Sequence, residues 1–133
     1  MLKKTITFTD YAGEERTEDF YFNLSRAELL EMEMFQEGGL VAHIEKIVQA
    51  KDNAQIVELF KDLILQAYGE KSADGRRFMK DAEIVANFEQ TEAYSELFVE
   101  LATNEQAAIE FVNGIIPKDP IGGAPYPQEV KGK

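Results

Sequence analysis

Between Gly69 and Asp81 the sequence crowds glycines, a Lys-Ser pair and side-chain oxygens into spacings that two ligand-binding motifs approach. Gly69-Glu70-Lys71-Ser72 places Lys-Ser shortly after a glycine, as in a phosphate-binding loop. That loop needs a glycine directly before the lysine and another five residues earlier, so that backbone N–H groups cradle the phosphate. Here Glu70 precedes Lys71 and would repel phosphate, and the segment follows a helical pattern rather than a strand. Glu70, Ser72, Asp74 and Asp81 fall at positions 1, 3, 5 and 12 of a calcium loop, with Gly75 at position 6. Against a dication stand Lys71, Arg76, Arg77 and Lys80, and Arg77 takes the place of the usual apolar residue. The bland alternative is a helix C-cap at Gly69 followed by an Asp-Gly turn, and this is the reading adopted.

Other candidate chemistry is thinner. His43 is the single histidine and the chain has no cysteine, so neither a zinc site nor a catalytic triad can be assembled around it. The paired carboxylates Glu14-Glu15 and Glu18-Asp19 lie in polar sequence that favours full ionisation. Acid–base catalysis would instead need one carboxyl raised in an apolar pocket. Met32 and Met34 read as packing residues, with an adaptable Met-lined groove as the sharper alternative. No catalytic, cofactor-binding or metal-ligating residue is assigned, and the chain is not expected to be an enzyme.

The composition narrows the partners. A chain of 133 residues, 44% of them apolar, holds one ordinary domain with a real core. Its net charge of −11 argues against nucleic acid, which needs clustered lysine and arginine. Between Asp81 and Pro117 there are eight acidic residues and no lysine or arginine. That is a solvated helical surface, or one that steers a basic partner. No apolar run approaches the ~18 residues of a membrane span, and Lys3-Lys4 lacks the apolar stretch of a signal peptide, so no membrane contact is expected.

The elements that position these groups follow from periodicity. Thr5 to Thr9 alternates with Ile6 and Phe8 on one face, Asp10 to Gly13 turns, and Phe20, Phe22 and Leu24 alternate again, which predicts an N-terminal β-hairpin. Ser25-Arg-Ala-Glu28 is a capping box opening a first helix that Gly38-Gly39 ends, with Leu24 placed to staple onto Leu29. A second helix carries Leu40, Val41, Ile44, Ile47 and Val48. Asp52-Asn53 caps a third, whose stripe of Ile56, Phe60, Leu63, Ile64 and Ala67 is widened by Val57, Leu59 and Leu65. This third helix is expected to be the most buried. Ile84, Val85 and Phe88 suggest a short helix. Tyr94, Leu97, Phe98 and Leu101 fall at i, i+3, i+4 and i+7 in the next, and Ala108, Phe111, Val112 and Ile115 repeat the spacing in a last helix that Gly114 and Pro117 end. The predicted core centres on Ile56, Phe60, Leu63 and Ile64, packed by Tyr94, Leu97, Phe98, Phe20 and Phe22. The expectation is an α+β, mainly α domain over residues 1–117: a hairpin on about five helices, with a flexible Pro/Gly-containing tail over 118–133.

Ala67-Tyr68-Gly69, Lys71-Ser72, Asp74-Gly75 and Phe78, then Phe88, Thr91, Ala93-Tyr94-Ser95, Leu97-Phe98 and Glu100-Leu101, form a pattern that carries no catalytic signature. It resembles the tail assembly chaperones of long-tailed bacteriophages of Gram-positive hosts, over residues 3 to 117. The resemblance implies a helper in the host bacterial cytoplasm that is absent from the finished virion. Its implied partners are the tape measure protein, which it keeps soluble, and the tail tube protein, whose subunits it helps recruit. Helices 93–101 and 107–116 could cover apolar helical faces of the tape measure protein, which assigns partner binding to Tyr94, Leu97, Phe98, Leu101, Phe111, Val112 and Ile115. Self-association is also expected, because amphipathic helices in so short a chain cannot all face one core. The rival reading is a small acidic adaptor or regulator of a single phage or host protein.

The resemblance further implies a longer form, made when the ribosome slips back one nucleotide near the stop codon. Lys131-Gly132-Lys133 and Ile116-Pro117-Lys118 can both be encoded by slippery heptamers, and a flexible tail would let an extra domain hang from the chaperone.

Overall fold

The structure, a computed structural model, describes residues 1–31, 45–47 and 49–117. It is mainly helical with one antiparallel sheet. Strand β1 (Leu2–Thr9) pairs with β2 (Glu15–Phe22) in the register Leu2↔Phe22 to Thr9↔Glu15. At the turn Gly13 takes φ 84°, and the Asp10 carboxylate accepts the N–H groups of Ala12 and Glu14, so the hairpin forms as its turn residues predict. Pleating sends Ile6, Phe8, Phe20 and Phe22 to the helical side. The other side is polar, with the Thr5 hydroxyl donating to Asp19 at 2.6 Å and Thr7 bonded to Thr17 at 2.9 Å.

Helix α1 (Arg26–Glu31) opens on the predicted capping box: the Ser25 N–H donates to Glu28 Oε1 at 2.8 Å, and the Glu28 N–H to Ser25 Oγ at 3.1 Å. Leu24 and Leu29 are both buried, as a staple requires. Residues 45–47 and 49–50 are helical, and Ile47 is half-buried. Gly38-Gly39, Leu40, Val41, His43 and Ile44, with Met32 and Met34, lie outside the described residues, as does 118–133.

Helix α2 (Asn53–Ala67) is capped by Asp52 and buries Phe60, Leu63, Ile64 and Ala67 completely. Ile56 is only half-buried, and Val57 is 47% exposed, so the core sits on the C-terminal half of this helix rather than along it. The expected C-cap at Gly69 is corrected. Helix α2 stops at Ala67, Tyr68 is already extended, and the chain runs straight into strand β3 (Tyr68–Lys71). Gly69 does not take a positive φ; it pairs with Tyr21 in the sheet. Strand β4 (Phe78–Met79) folds back on β3 through the Asp74-Gly75 turn, where Gly75 has φ 75°. The sheet therefore has four strands in the order β1-β2-β3-β4, two more than the sequence suggested.

Helices α3 (Ala82–Glu89), α4 (Glu92–Thr103) and α5 (Glu105–Ile115) complete the described fold. Thr91 caps α4 through the Tyr94 N–H, and Asn104 caps α5 through the Ala107 N–H. Helix α4 is the central piece, packing on β1, α2, α3 and α5. Helix α5 ends at Ile115, between Gly114 and Pro117 as expected, but Gly114 is still helical and has a packing role. A Cβ there would meet Leu2 Cδ1 at 2.8 Å, so the glycine lets β1 approach the helix. Rings from every layer meet in the core, including Phe22 against Phe111 at 5.3 Å and Phe20 against Phe88 at 5.4 Å.

Candidate partner-binding surface

The motif residues of the 67–78 segment build a hairpin. Gly69 sits under the Phe78 ring, and a Cβ on it would lie 2.7 Å from Phe78 Cε2 and 2.8 Å from the Met79 carbonyl oxygen. In the turn, Ser72 Oγ donates to Asp74 Oδ1 at 2.7 Å, the Arg76 N–H donates to the same oxygen at 3.0 Å, and the Arg77 N–H donates to Ser72 Oγ at 3.0 Å. Two of the oxygens that resembled calcium ligands, those of Ser72 and Asp74, thus bond within the turn, and these bonds hold the Asp74 carboxyl below its usual range. Among the described residues, no group of three or more His, Cys, Asp or Glu side chains is placed to hold a metal. Lys71 Nζ lies 4.6 Å from the centre of the Tyr21 ring on the sheet's outer face.

Tyr68 and Phe88 stack at 4.0 Å with an interplanar angle of 10°, joining the hairpin to α3. Burial, with the Glu70 carboxylate beside it, pushes the Tyr68 phenol up to about 12. The ring of Phe88 also meets Tyr94, and Tyr94 meets Phe98 at 6.0 Å, so the aromatic run continues along α4. Burial raises the Tyr94 phenol, helped by the charges of Glu89 and Asp62.

Beside the hairpin, Lys80 ties four elements together. Its ammonium donates to the Asn23 carbonyl at 2.7 Å, to Glu28 Oε2 at 2.7 Å and to the Gln66 carbonyl at 2.8 Å. Gln66 O is one of the carbonyls that a helix C-terminus leaves without a partner. The same junction satisfies two more, because the Asn23 N–H donates to Ala67 O and the Leu24 N–H to Ile115 O, each at 2.8 Å. Burial opposes ionisation of Glu28, but the hydrogen bonds from Lys80 and from the Ser25 N–H outweigh it and hold the carboxyl below the ordinary glutamate range.

The seven residues expected to meet a partner separate into two sets. Leu97, Leu101, Phe111, Val112 and Ile115 are at most 2% exposed, packed by β1, α2 and one another's helices. In this fold they are core, covered by their own chain: an amphipathic stripe is the same whether its own chain or another covers it. Tyr94 and Phe98 are half-buried at the core's edge and keep part of each ring in solvent. Among the described residues the large apolar side chains left open are Met1 and Tyr11 in the N-terminal hairpin, Val57 on α2, 47% exposed, and Val99 on α4, 55% exposed; α2 and α4 pack together. Val99 interrupts the otherwise polar set of Ser95, Glu96, Glu100 and Thr103, and that break was its signal in the sequence. Around these residues the surface is acidic. Lys61 on α2 is paired with Glu89 at 4.0 Å, and Lys4 with Glu100 of α4 at 3.4 Å.

No described helix is long and apolar enough to cross a membrane. A family model described as phage tail assembly chaperone matches residues 1–124, which takes in the whole described fold. No curated protein and no solved structure gives a significant match.

Proposed function

Since the chain belongs to the phage tail assembly chaperone family, we propose that it binds the tape measure protein, keeps it soluble and helps recruit tail tube subunits. The exposed Val57 on α2 and Val99 on α4, with the partly exposed rings of Tyr94 and Phe98 on α4, are the observation that supports this reading. They offer apolar side chains on α2 and α4 for an apolar helix to pack against. The surrounding carboxylates would keep the coated complex soluble and speed encounter with basic segments. On this reading the protein acts by binding, without catalysis, in the host cytoplasm, and leaves before the virion is complete. Self-association, or assembly with a frameshifted longer form, would bring several such surfaces to one tape measure chain.

Co-expression with the tape measure protein tests it. Wild-type protein should carry the tape measure protein into the soluble fraction. A Val57→Lys, Val99→Lys variant should lose that effect while melting like wild type, because both side chains are exposed. An insoluble tape measure protein beside well-folded wild-type protein would overturn the reading.

A further inference from the structure

A groove of about 270 Å³ runs along the free edge of β1, lined by Lys4, Thr5, Ile6, Thr7, Glu96 and Glu100 over Leu97. Four consecutive strand residues can line one groove only if it follows the strand's edge, since successive side chains point to opposite faces. In the sheet β1 pairs with β2 alone, and among the described residues no backbone group of 2–9 hydrogen-bonds outside that pairing. An unpaired edge of this kind is a template for another strand.

We propose that this edge takes up an extended segment of a partner protein whose cationic side chains alternate with small or β-branched ones. A strand added to β1 would make main-chain hydrogen bonds with it, and every second side chain would project over α4. There it meets Glu96 and Glu100, one helical turn apart. Lys4 already engages Glu100 at 3.4 Å, while Glu96 has no ion-pair partner among the described residues. The other side chains of the added strand would lie beside exposed Thr5 and Thr7, which suit threonine or valine. The groove is lined by residues other than Val57 and Val99, so the inference stands apart from the tape measure reading.

Synthetic peptides test it on the full chain. The probe is a capped, fluorescently labelled peptide alternating valine and lysine. Its controls are a glutamate-for-lysine version, a version with the same residues in two blocks, and one N-methylated on alternate amides. The alternating lysine peptide should bind and slow hydrogen exchange in the β1 backbone around Lys4–Thr7. Affinity should fall by about tenfold for Glu96→Lys, whose exposed site leaves the fold intact, and similarly for the glutamate and blocked peptides. Equal binding of the N-methylated peptide would overturn strand addition, and equal binding of the glutamate peptide would overturn the charge argument. Protection of β1 that grows with protein concentration alone would assign the edge to a second copy and overturn the proposal.

Discussion

Lys80 Nζ and Glu28 Oε2 lie 2.7 Å apart across 52 residues of sequence, joining the strand that closes the second hairpin to the first helix. The same ammonium holds two main-chain carbonyls, so this pair acts within a junction rather than as a lone surface bridge. The Lys80 side chain is 18% exposed, which limits screening by solvent.

Replacing Lys80 by methionine should therefore cost more than a surface ion pair. The Asn23 and Gln66 carbonyls lose their donor and Glu28 its counter-charge, so a loss of about 2–3 kcal/mol is expected. Urea melts of Lys80→Met, Glu28→Gln and the double variant will measure it. Losses that simply add would show that the two residues do not act as a unit.

Acid should weaken the same junction. The Glu28 carboxyl titrates lower in the folded protein than its ordinary value of about 4.3. Folding thus favours its ionised form, and its contribution is present above about 4.3 and lost as pH falls through the depressed value. Glu28→Gln should flatten the stability profile in that acid range and leave its shape near neutrality unchanged. An unchanged acid limb in the variant would contradict the assignment.

Gly69→Ala should destabilise by about 1–3 kcal/mol, the range for forcing extra atoms into a packed site. The Phe78 ring can swing away from the new methyl, but the Met79 carbonyl belongs to the paired backbone and cannot. Thermal melts will show the loss. An unchanged melting temperature would show that the site has room for the methyl.

The core carries unequal weight along its helices. Phe60→Ala removes a completely buried ring and should cost about 3–5 kcal/mol. Phe98→Ala removes one that is only partly buried, so a smaller loss is expected. Equal losses in urea melts would show that Phe98 is as enclosed as Phe60.

What could be read in the sequence is what neighbours along the chain decide. The capping box of Ser25 and Glu28, the cap at Asp52, the Gly13 turn and the stripes of α4 and α5 all depend on residues within a few positions of one another. Strands β3 and β4 escaped because runs of four and two residues show no alternation, and the pairing of β3 with β2 joins Tyr21 to Gly69 across the whole of α2. Gly69 and Gly114 look like helix stops in a linear reading. Only the fold reveals that one lies beneath Phe78 and the other against Leu2. The partner-binding assignment divided for the same reason. Periodicity told that Leu97, Leu101, Phe111, Val112 and Ile115 needed covering, but tertiary packing decided that their own chain covers them and leaves Val57 and Val99 in solvent.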